Sequence, residues 1–423
     1  MSKNSPFAKR LRFGSKLGLE RIAMLCKRLG DPQLKYKTIH IAGTNGKGST
    51  AAVLASVLKH NHYNVGLFTS PHLVDYRERF QVNGELISSD DLKAICLKVN
   101  QVMTEVERLY PQYGPFTEFE AAAAVGFVYF AEKQVDYAVF EVGLGGRLDA
   151  TNVIMPEISI ITSIGHDHLD RLGPTIRDVA GEKAGIIKAN VPVISGLQLP
   201  EVDAVLEQTA RRLNCEYYRL SDVNWQPGHF NLEGGKLHFP YFSHKEFEIK
   251  LLGKHQLENT AVALLALQIL HKHGLMLNET DIRSGLAAAH WPGRLEVLSK
   301  QPLLILDGAH NQEGIKALVS ALVDLLPSKS KIAFIIGLSV DKNIGLIDPL
   351  IPLAKRMIFT ESQNSRIGVT PAVKLRDYAL SLGVQAESMI STAAALKAVA
   401  GEDIICICGS LYLIGDIKSL MLR

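Results

Sequence analysis

The chain has 423 residues, more than one hydrophobic core usually organises, and its 47% apolar and 21% charged composition is that of a globular protein rather than a disordered or fibrous one. Its 46 basic and 43 acidic residues are spread along the sequence for a net charge of +3, without the dense basic run a phosphate-backbone binder needs, which argues against a nucleic-acid partner. Five scattered cysteines (Cys26, Cys96, Cys215, Cys406, Cys408) lack metal-ligand spacing, and no uncharged apolar run approaches the ~18 residues of a membrane span, so the expected setting is a reducing cytoplasm with no membrane partner and no export signal.

The predicted elements open at Lys37 with a strand ("KTIHIA"), a glycine-rich turn ("GTNGKGST"), an apolar helix ("STAAVLASVLKH") and a second strand ("YNVGLFT"), a βαβ unit. The runs "VDYAVFEVG", "EISIITSIG" and "VPVISG" are short, β-branched and separated by helical stretches such as "FEAAAAVGFVYFAEK". Strands buried on both faces read this way, and the expected fold is a doubly wound α/β sheet. From about residue 215 to 252 aromatic and polar residues alternate around turns at "QPGH" and "EGGK", predicting a small antiparallel meander at an edge. A long helix ("GKHQLENTAVALLALQIL") leads to a Pro-Gly break in "AAAHWPGRLEVLSKQP", after which a second α/β series runs through "LLILDGAH", "NQEGIKALVSALVDLL", "KIAFIIGL", "RMIFTES" and "DIICICGS". The expected division is a nucleotide-binding unit over 1–296 and a smaller Rossmann-like unit over 297–423. In the last strand Cys406 and Cys408 fall on one face, as small buried hydrophobes.

The turn "GTNGKGST" combines what an anion site needs: glycines that let N–H groups approach phosphate oxygens, a helix N terminus, and a mobile charge on Lys47. A plain βα turn is the alternative. The string departs from the standard phosphate loop, which would need glycine at Ile41 and a hydroxyl directly after Lys47, where Gly48 stands; the hydroxyls come later, at Ser49 and Thr50. Glu141 ends an apolar strand in "VFEVGLGGRLDATN", and the C-terminal ends of parallel strands face the ligand crevice, so this carboxylate can reach a metal held at the loop. A merely capping or solvated glutamate is the alternative there. "ITSIGHDHLDRLG" presents His166, Asp167, His168 and Asp170 at the next strand end, a cluster better suited to binding than a lone histidine. Lys183 in "VAGEKAGIIKAN" reads by itself as a surface lysine on a helix.

Taken in order, "GTNGKGST", "TSPHL", "EVGLGGRLDATN", "SIGHDHLDRLG", "GEKAGIIK", "WPGRLE" and "LDGAHN" resemble the Mur ligase superfamily, and within it the dihydrofolate synthase/folylpolyglutamate synthase branch. The resemblance spans almost the whole chain and accounts for the atypical loop. It implies a phosphate-loop ATPase domain followed by a Rossmann-like ligase domain, with ATP contacted by Thr44, Asn45, Gly46, Lys47, Gly48, Ser49, Asn259, Arg294 and Asp307. It also implies two Mg2+ ions, with Ser70, Glu141 and His168 as ligands, and a CO2-derived carbamate on Lys183, which turns a repelling ammonium into an anionic oxygen ligand. Lys47, His168, Lys183, Asp307 and His310 carry over as catalytic residues. Leu17, Gly18, Leu19 and Glu20 of "LGLER", Thr117, Glu118, Phe119 and Glu120 of "TEFEA", and Leu148 resemble the lining of the family's pterin pocket. Glu118 stands where a bulky ring is common, and His166, where an apolar or small residue is usual, is read as a neighbour and not a ligand.

Only 42 residues precede Gly43, too few for the UDP-sugar-binding domain, on the order of 100 residues, expected ahead of the loop in the superfamily's peptidoglycan ligases. The implied reaction is ATP-dependent addition of L-glutamate to dihydropteroate and to tetrahydrofolates by a cytoplasmic monomer. The alternatives are an enzyme with one of these activities alone, an inactive binding module, or a nucleotide switch protein; against the last stands the absence of an N-K-x-D base-reading motif.

Overall fold

The structure, a computed structural model, describes residues 5–7, 10, 18–241, 246–365 and 368–421. Its larger sheet takes β1 (Lys37–Ala42), β2 (Val65–Phe68), β3 (Phe80–Val82), β4 (Glu85–Leu86), β5 (Tyr137–Glu141), β6 (Ile158–Ile161), β7 (Val193–Ser195) and β8 (Tyr217–Arg219). The order is β4-β3-β2-β5-β1-β6-β7-β8; the pairs from β2 through β8 are parallel, and β3 and β4 add an antiparallel edge. Central strands such as β5 are buried along their whole length, which is why their sequences are continuous apolar runs rather than alternating ones. The helices Lys47–His60 and Lys254–Lys272 share one core with this sheet, and Ser89–Leu109 and Glu118–Glu132 share another. Glu118–Glu132 is apolar all round because it is buried all round, and its start is fixed by a capping box in which Thr117 and Glu120 satisfy each other's backbone N–H.

The antiparallel sheet β11-β10-β9 is made of β9 (Gln226–Asn231), β10 (Gly234–His238) and β11 (Glu246–Ile249). It is shorter than the sequence suggests: Tyr217–Arg219, expected in the meander, pairs instead in parallel with β7 as the edge of the large sheet. Tyr217–Arg219 is half-buried throughout and only three residues long, too short for its own pattern to separate the two cases.

The second large sheet contains β12 (Glu296–Lys300), β13 (Leu303–Leu306), β14 (Ile332–Ile336), β15 (Ala354–Phe359), β16 (Ala386–Ser388) and β17 (Ile404–Cys408), in the order β12-β13-β17-β14-β15-β16, with only β12 antiparallel. Glu296, placed by the sequence at the end of the first unit, pairs with Leu306 and so belongs to this sheet. Cys406 and Cys408 are both fully buried in the core shared with the helix Gln312–Leu325. The two units meet closely: a Cβ on Gly415, in the helix Leu411–Met421, would lie 2.1 Å from the carbonyl oxygen of Leu73.

Candidate active site

The residues that follow β1, β5 and β6 in one sheet, and β13, β14 and β17 in the other, line a single cleft of about 400 Å³. C-terminal strand ends are where an open parallel sheet leaves room for ligands, and here two sheets contribute to one crevice.

The floor is the glycine turn. Thr44 N–H donates to Ser163 O at 2.8 Å, and the Thr44 hydroxyl is within 3.0 Å of Gly165 N and 3.1 Å of Gly165 O, so the turn is braced by the segment after β6. Gly46 takes φ +87°, and a Cβ there would lie 2.1 Å from Asn259 Oδ1. Gly48 faces Trp291, whose ring would be 2.6 Å from a Cβ. That contact is the physical reason no hydroxyl residue follows Lys47: a tryptophan from the junction occupies the space a serine or threonine side chain would need. The helix Lys47–His60 starts without a side-chain cap, so its first amides and its dipole are available to an anion.

Two lysines converge on Gly43 O, Lys47 Nζ at 3.0 Å and Lys183 Nζ at 2.8 Å. Burial lowers the pKa of Lys47, with Glu141 and Asp167 opposing the shift. Burial, reinforced by the charge on Lys47, pulls Lys183 down to about 7. Lys183 is therefore not the surface lysine its local sequence suggests; it is 5% exposed and at neutral pH a large fraction of it is the free amine.

Glu141 is buried, accepts Ser70 N–H at 3.1 Å through Oε2, and has its pKa raised by desolvation against the pull of Lys47. His168 reaches the same cleft from the loop after β6. Among the described residues no three carboxylate, imidazole or thiol groups form a metal-binding cluster. One carboxylate, one imidazole and the Ser70 hydroxyl suit a Mg2+ ion that takes its other oxygens from phosphate and water.

From the second sheet come Arg294, Asp307 and His310. Asp307 accepts Leu295 N–H and Ala309 N–H, both at 2.8 Å, which fixes the loop that carries it; burial raises its pKa and Arg294 counters. His310 Nδ1 lies 2.7 Å from Gly308 O, which makes Nδ1 the protonated nitrogen, and burial lowers the ring's pKa to about 4. The imidazole is neutral, with Nε2 left as an acceptor.

Every residue expected at the ATP and metal sites, Thr44 to Ser49, Ser70, Glu141, His168, Lys183, Asn259, Arg294, Asp307 and His310, lines this cleft. None of the described residues expected at a pterin pocket lines this cleft. Arg21, directly after Glu20, makes a buried ion pair with Glu120 at 2.9 Å. Phe119 packs under the turn at Gly143, where a Cβ would lie 2.5 Å from its ring, and Glu118 is buried with Oε1 unpaired. Gly18 and Leu19 precede the helix Glu20–Arg28, Leu148 is 37% exposed, and Leu17 lies outside the described residues. Asn311, Glu313, Ser339, Lys342 and Ser410 line the cleft without having been singled out by sequence. Asn311 and Glu313 stood in quoted motifs, and Ser339 and Lys342 follow strand β14 at its C-terminal end, a signal that was legible.

A glycine turn, two lysines converging on it and an acidic-imidazole set, shared between two α/β units, define an ATP-dependent ligase. Residues 41–267 match the Mur ligase middle domain and residues 293–411 the Mur ligase glutamate ligase domain, and the chain belongs to the Mur ligase family. It is 38% identical over 419 residues to the dihydrofolate synthase/folylpolyglutamate synthase of Bacillus subtilis, covering 97% of this chain and 96% of that one. The crystal structure of folylpolyglutamate synthase from Thermotoga maritima superposes with a TM-score of 0.86 at 36% identity, over 96% of this chain and 94% of that one. The Mycobacterium tuberculosis folylpolyglutamate synthase complexed with ADP and AMPPCP gives 0.88 at 30% identity, over 99% and 97%.

Proposed function

We propose that this enzyme joins L-glutamate to 7,8-dihydropteroate, forming dihydrofolate, and to tetrahydrofolates, forming polyglutamates. The observation that carries the reading is the single cleft in which the glycine turn, Glu141, His168 and Lys183 face Arg294, Asp307 and His310. The relatives' names supply the substrates, and the cleft supplies the chemistry.

In the first step an oxygen of the substrate carboxylate attacks the γ-phosphorus of ATP, the bond to the bridging oxygen breaks, and ADP leaves behind an acyl phosphate. Lys47 and the amides of the glycine turn hold the phosphates and offset the charge that builds on them, with Thr44, Asn45, Gly46, Gly48 and Ser49 forming the cradle. Asn259, Arg294 and Asp307 hold the rest of the nucleotide. Mg2+, with Ser70, Glu141 and His168 as its protein ligands, supplies charge neutralisation when bound. In the second step the amine of glutamate attacks the acyl carbon, inorganic phosphate leaves, and the amide forms with loss of a proton. Neutral His310 can accept a hydrogen bond from that amine through Nε2. Lys183, with its lowered pKa, can add CO2 as the free amine, releasing a proton and gaining a carbamate oxygen for the metal.

Gly18, Leu19, Glu20, Thr117, Glu118, Phe119, Glu120, Leu148 and, outside the described residues, Leu17 are proposed to border the pterin. The buried, unpaired Glu118 Oε1 is an acceptor of the kind a pterin's ring N–H and amino group require. Both halves of the cleft come from one chain, which fits a monomer, and the absence of disulfides among the described cysteines fits a cytoplasmic enzyme. ADP release by the purified protein with L-glutamate and either dihydropteroate or tetrahydrofolate tests the reading: turnover with both is expected, turnover with one makes the enzyme monofunctional, and turnover with neither rejects it.

A further inference from the structure

Three side chains of the second unit reach onto one short loop of the first. Asn311, the N-cap residue of the helix Gln312–Leu325, donates through Nδ2 to Asp167 Oδ2 at 3.2 Å and to Asn45 Oδ1 at 3.0 Å. Lys342, from the segment after β14, donates to Asp167 Oδ1 at 3.0 Å, and both side chains are shielded, at 14% and 11% exposure. Glu313 lays its carboxylate over Gly165, where a Cβ would come within 2.9 Å, and accepts His166 N–H at 3.3 Å. Each oxygen of Asp167 is thus held by a different side chain from the other unit, while Oδ1 also accepts the N–H of His168 at 3.0 Å. His168 sits at φ +55° and ψ +37°, a left-handed conformation that a non-glycine residue keeps only where its surroundings over-determine it.

The contacts onto Asp167 are not used by the ligation steps. We infer that Asp167 is a positioning residue: the docking of Asn311 and Lys342 onto its carboxylate fixes the loop over 165–168 and so aims His168 into the cleft. The first unit's half of the site is then complete only when the second unit is seated. This inference rests on the role proposed above for His168.

Amide hydrogen exchange on the full-length protein without ligands tests the clasp independently of turnover. In Lys342→Met and in Asn311→Ala, the amides over 165–170 should exchange about tenfold faster or more, while those of the helix Lys47–His60 keep their rates. With substrates, kcat should fall roughly 10- to 100-fold with KM for ATP and L-glutamate changed less than about threefold, and Lys342→Arg should restore both readouts. Unchanged exchange in both variants overturns the clasp. So does a rise in KM for L-glutamate alone with kcat kept, which would make Lys342 a direct substrate contact. If His168→Ala ligates normally, the reading of His168 fails and with it the clasp's purpose, even where the exchange result stands.

Discussion

Lys183 shows how far a residue's chemistry depends on where it is buried. On its helix it is one lysine among many, yet in the structure it is enclosed beside Lys47 and its pKa falls to about 7. The neutral amine is the form that adds CO2, and its fraction rises as pH rises through that value. Enzyme stripped of CO2 should therefore regain ligase activity when equilibrated with a fixed partial pressure of CO2, faster at pH 8 than at pH 6, and Lys183→Ala should lose on the order of 100-fold in kcat under every condition. Equal recovery at the two pH values would argue that no carbamate forms. Glu118 makes a separate residue-scale prediction. Glu118→Gln keeps the volume and replaces the acidic acceptor, and should raise KM for the pterin substrate about tenfold while KM for ATP stays put, measured by ADP release over a substrate series.

At the scale of the element, the glycine turn is shaped by neighbours distant in sequence. Asn259 from a helix more than two hundred positions away closes on Gly46, and Trp291 closes on Gly48. Gly46→Ala places a Cβ against Asn259 Oδ1 and asks alanine to adopt φ +87°, which alone costs ~1–2 kcal/mol. KM for ATP should rise at least about tenfold with a modest fall in melting temperature, checked by kinetics and calorimetry. A normal KM would show that the turn relaxes without cost. The helices Glu118–Glu132 and Gln312–Leu325 are started by capping residues, Thr117 with Glu120 and Asn311, which the apolar periodicity did not single out. Edge strands were the weak point, because β8 is only three half-buried residues and carries no periodicity of its own to separate it from the meander that follows.

At the scale of the whole molecule, the cleft exists because two sheets are docked with their C-terminal strand ends facing. Gly415 is at the seam, where its backbone approaches Leu73 too closely for a side chain. Gly415→Ala should lever the helix Leu411–Met421 off that segment, lowering kcat about tenfold and enlarging the particle measurably in small-angle scattering, with each unit's helix content intact by circular dichroism. Unaltered scattering and kcat would mean the seam yields locally instead.

The sequence by itself determined the α/β class, the glycine turn, the break between two α/β series and the order of the motifs that mark the family, because each is written in local periodicity, turn chemistry or a contiguous string. It also supplied the residues expected at ATP and metal sites, which line one cleft, although only a family resemblance joined them. What tertiary structure alone decided was enclosure and reach: that Lys183 is buried against Gly43, that Trp291 excludes a side chain at Gly48, and that Asn311 and Lys342 hold Asp167 from across the cleft. These are contacts between residues more than a hundred positions apart, and no local pattern encodes them. Desolvation and steric exclusion arise only once folding has brought these distant segments together.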